Sequence, residues 1–452
     1  MSRRLKIMWI LMHISLGVIY AFFNPITIFL ELIAFILGLY FAVTKGNSQI
    51  QFMQCLVYLV SIEIATRSQD ILPHEFVKYG ISILMIVYLL VNSKELKTEK
   101  YTWLALLYFF LLLPSLLIGE YDELEKPINV ISFSLSGPIS LAVSCSFFSR
   151  YTLTINNLLR VLSFALYPII LSLLYIIIKA PNIKDIEWAL GANFESSAHM
   201  TGPNQISSIF GLGLFILFFT IYNKFYFSGY RFIDILFFGI LLFRTILLFS
   251  RGGLISGFLA IITLYIFDIL LKSKNASEKF NKIFQVIIFI VLSILLFNIV
   301  NDITNGTLYK RYRGEKANTE ITGEIDYFSN REQIIDSDIN IFLQNPIFGI
   351  GPGLGKHYRD KYLGWGASAH TELTRLLAEH GLLGILAAII IIYLSIVSIK
   401  KNKKIGIPIV ASLIVLSIST SFHAAMRLAM VGFIFGLSQL TIKSNSNKKN
   451  YV

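Results

Sequence analysis

Gly381-Leu382-Leu383-Gly384-Ile385-Leu386-Ala387-Ala388-Ile389-Ile390-Ile391-Ile392-Tyr393-Leu394-Ser395-Ile396-Val397-Ser398-Ile399 runs without a charged residue. As a helix rising 1.5 Å per residue it spans roughly 29 Å, about the thickness of a bilayer's hydrocarbon core. Lys400, Lys401, Lys403 and Lys404 end it on one side, and a polar segment reaching Glu379 and His380 precedes it. Comparable runs fill the chain. Spans are expected near 7–23, 25–43, 50–66, 75–92, 101–118, 128–148, 155–178, 204–222, 231–248, 252–271, 283–300, 381–399, 405–420 and 424–441. In hydrocarbon the backbone must bond within its own segment, and the runs lack the ten-residue alternation of a barrel, so the spans are helical. The expected fold is an all-α polytopic integral membrane protein of about 14 transmembrane helices, with a large, partly helical extracytoplasmic loop.

An even count puts both termini on one side, and lysine and arginine select the cytoplasm for it. On that side fall Arg3, Arg4 and Lys6; Lys94, Lys97 and Lys100; Lys272, Lys274, Lys279 and Lys282; the lysines after Ile399; and Lys443, Lys448 and Lys449. The opposite loops are poorer in positive charge, and residues 120–126 are mostly acidic. The expected organisation is then helices 1–11 over residues 1–300, a large outer loop over 301–380, and three helices with a basic tail over 381–452. A shorter outer loop, 179–204, carries Trp188, Glu195, His199 and the turn-like Thr201-Gly202-Pro203-Asn204-Gln205.

Apolar residues are 55% of the chain and charged ones 15%, so the net charge of +12 is a topology signal and an attraction to anionic membrane lipids, with no nucleic-acid footprint. Cys55 and Cys145 fall inside spans, which gives neither a disulfide framework nor a metal site. The first run is nearly full length and no small-residue cleavage site follows it, so it is expected to be a retained span. No internal repeat of the transporter kind is visible.

The loop 301–380 begins basic, with Lys310, Arg311, Arg313 and Lys316. From Arg331 to Phe342 the spacing of Ile334, Ile335, Ile339 and Phe342 predicts an amphipathic helix, which Pro346 stops because it lacks an N–H and crowds the preceding turn. A glycine-rich turn, residues 349–355, follows; it fits neither a dinucleotide nor a P-loop fingerprint and is expected to bring two helices side by side. Ser368 is the expected N-cap of a second helix, Ala369 to His380, with His380 capping its end and Gly381 as a hinge into the next span.

Four features suggest chemistry. Arg251 opens a span after almost no loop and could fork onto phosphate oxygens, with Gly252 and Gly253 letting backbone N–H groups approach the same anion; an interfacial anchor is the plainer reading. Arg244, seven residues earlier and roughly 10 Å deeper on one continuous helix, either contacts substrate or pairs with Glu63. His370, expected in a helix's first turn where its pKa falls, suits a general base or a plain surface role. Glu372, Arg375 and Glu379 are spaced to meet on that helix.

These pieces in this order resemble the O-antigen ligase and O-antigen polymerase superfamily of bacterial envelope glycosyltransferases. The resemblance is carried by Thr201-Gly202-Pro203-Asn204-Gln205, Ser250-Arg251-Gly252-Gly253, Asn330-Arg331-Glu332, Asn345-Pro346-Ile347-Phe348-Gly349-Ile350-Gly351, His370, and Leu376-Leu377-Ala378-Glu379-His380-Gly381-Leu382-Leu383-Gly384. It covers roughly residues 200 to 400. Thr371 stands where the family often has Asn after the histidine.

The resemblance implies metal-independent transfer of a glycan from undecaprenyl diphosphate to an acceptor hydroxyl, at the outer face of the cytoplasmic membrane and without a cofactor. By the same resemblance Arg251 and Arg331 would hold the diphosphate, helped by Arg244 or Arg375. His370 would take the hydroxyl proton, with Glu372 as reserve base, and Trp365 and Tyr362 would stack on sugars or anchor at the interface. The acceptor is expected to be another lipid-linked repeat unit, as for a polymerase, which a chain-length regulator could partner. A lipid A core, as for a ligase, is the alternative. A transporter or flippase of lipid-linked oligosaccharide is the competing class.

Overall fold

The computed structural model describes residues 2–44, 48–92, 101–122, 124–181, 192–200, 202–273, 275–314, 331–364 and 366–444. Lys94, Lys97, Lys100, Trp188, Thr201, Lys274, Lys316, Asn330, Trp365, Lys448 and Lys449 lie outside the described residues.

Helices follow one another almost without interruption. The first six are α1 (Arg3–Phe22), α2 (Ile26–Val43), α3 (Gln49–Arg67), α4 (Phe76–Val91), α5 (Thr102–Phe110) and α6 (Pro127–Phe148). Next come α7 (Ile155–Leu162), α8 (Leu166–Lys179), the short α9 (Ala192–Ser196), α10 (Pro203–Tyr222), α11 (Arg231–Leu247), α12 (Arg251–Lys272) and α13 (Ala276–Ile303). The polar segment and the C-terminal part hold α14 (Thr307–Tyr312), α15 (Arg331–Gln344), α16 (Gly355–Leu363), α17 (Glu372–Lys401), α18 (Ile407–Ala424) and α19 (Ala429–Leu437).

Fourteen spans are expected; among the described residues ten helices are long and apolar enough to cross a membrane: α1, α2, α3, α6, the stacked pair Ile155–Lys179, α10, α12, α13, α17 and α18. The segments Phe76–Val91 and Thr102–Leu117 are shorter, α11 has 17 residues, and α19 has 9. Hydropathy registers apolar side chains and is blind to where a helix breaks. The run expected over 424–441 is therefore corrected to a short helix preceded by non-helical backbone, Ala425 having φ 49° and ψ −154°.

The helix ends sort into two groups. At one end Tyr121 donates to the Pro352 carbonyl (3.0 Å), Ser250 to Asn204 (2.8 Å) and Arg251 to the Tyr312 carbonyl (3.3 Å). At the other, Lys6 donates to the Tyr226 carbonyl (2.6 Å), Asn402 to Leu440 (3.0 Å), and β1 (Thr152–Thr154) pairs in parallel with β2 (Thr441–Lys443). Loops expected on the same side of the bilayer thus meet each other.

α3, α6, α8, α10, α18 and α19 form the interior, whereas α1, α2 and α13 keep large apolar side chains such as Met8, Phe29, Phe280 and Leu292 exposed, as lipid contact requires. α10 and α12 pack backbone to backbone: a Cβ on Gly253 would collide with the Ser207 carbonyl, and one on Gly252 with the His423 ring. Those two glycines serve helix packing of the small-residue kind, which corrects their expected role toward an anion.

In the polar segment α15 begins at Arg331 as expected and ends just before Asn345-Pro346. Its buried side chains are Ile334, Ser337, Asp338 and Ile341, while Ile339 is exposed, so the predicted apolar face is rotated. Asp338 turns inward because Arg359 of α16 meets it (Nε to Oδ1 2.7 Å). The glycine-rich turn does bring two helices together: Ile350 N donates to the Ala378 carbonyl (3.1 Å), Gly351 N to Glu379 (3.0 Å) and Leu382 N to Pro346 (2.7 Å). Gly381, at φ 59° and ψ −137°, breaks α17 there, and a Cβ on it would lie 2.5 Å from the Pro346 carbonyl oxygen. The hinge is as expected, but the helix before it starts at Glu372 with Thr371 as N-cap, so His370 precedes the first turn. His380 is also corrected: fully buried, it meets Ser115 Oγ through Nδ1 (2.6 Å) and does not cap its own helix.

Candidate active site

His370 lies on the extended stretch before α17, pinned by its backbone, whose carbonyl accepts from Ala425 N (3.1 Å). Its Nδ1 is buried and has no hydrogen-bond partner among the described residues. Burial, then the guanidinium groups of Arg427, Arg331 and Arg359, push its pKa down to about 3, keeping the imidazole neutral. The expected direction holds, but the cause is desolvation and nearby cations in place of a helix end.

Arg331, the first residue of α15, belongs to the same neighbourhood. Burial and the charges of Arg251 and Arg311 lower its pKa, so Arg331 of α15 lies close to arginines of α12 and α14. No carboxylate bridges Arg331 among the described residues. Like charges are held this close only where an anion offsets them or solvent screens them. Arg331 therefore stands near Arg251 on one side and near His370 on the other.

Arg427 was missed. It stands in the break between α18 and α19, where burial and the charges of Arg67, Arg331 and Arg359 lower its pKa to about 10. Its Nη2 donates to the Ala369 carbonyl (2.5 Å) and no described carboxylate pairs with it. A lone arginine inside an apolar run was the available signal, and reading 424–441 as one span hid it.

The other candidates are placed differently. Arg375 is locked between two carboxylates, Nη2 to Glu372 Oε1 at 2.5 Å and Nη1 to Glu379 Oε2 at 2.7 Å, and Glu372 also accepts from Met426 N (3.1 Å). The expected meeting of Glu372, Arg375 and Glu379 is observed, with Arg375 paired on both sides. Arg244 donates to the carbonyls of Ser196 (2.9 Å) and Ile176 (3.3 Å), and Glu63 pairs instead with Arg67 (3.5 Å). The α11 helix ends at Leu247 and Phe249 has φ 54°, so no continuous helix stacks Arg244 under Arg251.

Behind the His370 stretch opens a cavity of about 1060 Å³. Its polar wall carries Arg67, Arg359, Arg375 and Arg427 together with the carboxylates of Asp70, Glu75, Glu372 and Glu379, and Phe35, Ile71, Phe76 and Ile83 form its apolar mouth. Ile71 and Ile83 are exposed. Arg251, Arg331 and His370 do not line this flanking cavity.

Residues 235–389 match the model of a family described as O-antigen ligase. Over that segment the chain is similar to that family. The segment runs from α11 into the first part of α17 and takes in Arg244, Arg251, Arg331, His370 and the ion triad of Arg375. Arg67 and Arg427 of the flanking face lie beyond the O-antigen ligase family segment, contributed by α3 and by the α18–α19 break. No curated protein matches the chain.

Proposed function

We propose that this protein is a membrane glycosyltransferase of envelope polysaccharide synthesis, transferring a glycan from undecaprenyl diphosphate to the terminal sugar hydroxyl of another lipid-linked repeat unit. The observation that supports the reading is the half-buried imidazole of His370, held neutral by desolvation and by Arg427 and Arg331, two arginines that lack carboxylate partners among the described residues. The charge distribution of the loops assigns this end of the helices to the extracytoplasmic face.

In this reading Arg251, Arg331 and Arg427 hold the diphosphate. The acceptor oxygen attacks the anomeric carbon, its proton passes to His370, and the bond to the diphosphate breaks, leaving charge that the arginines stabilise in a partly dry site. Metal is not required for that stabilisation. The same arginines weaken His370 as a base while the site is empty. A bound diphosphate offsets them and strengthens it, so proton uptake is favoured once the donor is seated. Arg375, Glu372 and Glu379 are assigned to holding the first turns of α17, and Arg244 to anchoring the segment that contains Ser196.

The family description favours a second reading, ligation to a lipid A core. A deletion strain complemented with wild type, Arg251→Ala, Arg331→Ala or His370→Ala separates the readings. A core bearing one repeat unit in the deletion strain supports a polymerase, and a bare core with accumulating lipid-linked polymer supports a ligase. Normal glycan from all three variants at wild-type protein level overturns the site.

A further inference from the structure

The break between α18 and α19 is held from two sides. On one side it grips the histidine stretch: Ala425 N donates to the His370 carbonyl (3.1 Å), Arg427 Nη2 to the Ala369 carbonyl (2.5 Å) and Met426 N to Glu372 Oε2 (3.1 Å). On the other side α3 grips the break. Glu63 Oε2 accepts from Ala429 N at the start of α19 (2.8 Å), and Arg67 Nη1 donates to the Arg427 carbonyl. Arg67 is itself held by Glu63 (3.5 Å) and by Glu75 (3.3 Å), which Lys78 neutralises (2.5 Å).

Non-helical backbone with a non-glycine residue at positive φ persists only where its surroundings over-determine it. Here the surroundings are two charged side chains of α3. A carboxylate at a helix N-terminus is favourably placed, and an arginine donating to a carbonyl while paired to two acids has little freedom. We infer that Glu63 and Arg67 are positioning residues for His370, acting through residues 425–429. The inference rests on the reading of His370 as the base.

The test uses the full-length protein in lipid nanodiscs and, in parallel, the complemented deletion strain. Modification of His370 by diethyl pyrocarbonate, which needs the neutral ring, is followed by mass spectrometry of its peptide across pH, and envelope glycan is quantified. In Arg67→Ala and Glu63→Gln the bracket loosens and Arg427 moves off Ala369. The modification midpoint should rise by about one pH unit toward the ordinary histidine value, and glycan should fall about tenfold. Arg67→Lys keeps the charge beside Glu63 and Glu75, so it is expected to accumulate normally and to show both changes at smaller size. It decides the matter if the other two variants fail to accumulate.

Support requires both changes together. A wild-type midpoint overturns the inference whatever the glycan yield, and so does a shifted midpoint with wild-type glycan. Normal glycan from His370→Ala would instead remove the reading of His370 on which the inference stands.

Discussion

At the scale of single residues, the site turns on which arginines keep an acid of their own. Arg359 has Asp338 and Arg375 has Glu372 and Glu379, whereas Arg331 and Arg427 have no carboxylate partner among the described residues. Arg331→Ala and Arg427→Ala should each weaken binding of undecaprenyl diphosphate by about tenfold or more, read by thermal shift of the purified protein, since a charge-assisted contact contributes roughly 1.5–3 kcal/mol. Lysine at either position should recover part of the loss, because it keeps the charge but not the fork. His370 adds a pH signature. Its folded pKa lies near 3, below the ordinary 6.5, so the unfolded chain binds its proton first. The histidine's contribution to stability is then constant above about pH 6.5 and declines as pH falls from there toward 3. In His370→Gln, melting temperature should lose this part of its acid dependence. The sequence picked out Arg251, Arg331 and His370 because each sits beside a helix start or a turn signal. The i+3 and i+4 spacing of Arg375 to its acids reads correctly as proximity, and the structure shows both acids paired with it.

At the scale of elements, the decisive joints are Gly381 and the α18–α19 break. Gly381→Ala places a Cβ against the Pro346 carbonyl in a backbone region that L residues avoid, so it should cost about 2 kcal/mol or more and straighten or detach the first half of α17. Thermal melting and glycan yield should fall together. Arg375→Ala should cost about 3–5 kcal/mol, since two buried carboxylates lose their cation, with Arg375→Lys in between. The glycine hinge was legible, as were the proline stop and the turn that pairs α15 with α17. The break after α18 was not, because Ala424-Ala425-Met426-Arg427-Leu428 contains no glycine or proline to announce it. It exists because side chains from α3 and α17 bond to its backbone.

At the scale of the whole molecule, helix ends that the charge distribution expects on one side of the bilayer are found packed on one another. Arg67 meets the α18–α19 break, Tyr121 meets Pro352, and Lys6 meets Tyr226 at the far end. Reporter fusions after Asn305 and after Asn402 should accordingly register opposite faces of the membrane, and the same face for both would reverse the site assignment. The short α4 and α5 and the nine-residue α19 are accommodated because longer neighbours flank them, α19 lying in the interior with every residue buried.

Apolar run length and the placement of lysine and arginine determined by themselves that this chain is a helical membrane protein with one polar segment of chemical interest, because hydrocarbon excludes both unpaired backbone and charge wherever they lie in the chain. Only the tertiary structure decided which arginines lack acids, that Arg427 stands near His370 and Arg67 holds the backbone of Arg427, and that a break in an apolar run holds the histidine. Those relations join α3, α15, α17 and α18, far apart in the chain, and charge pairing between distant segments leaves no period in a sequence.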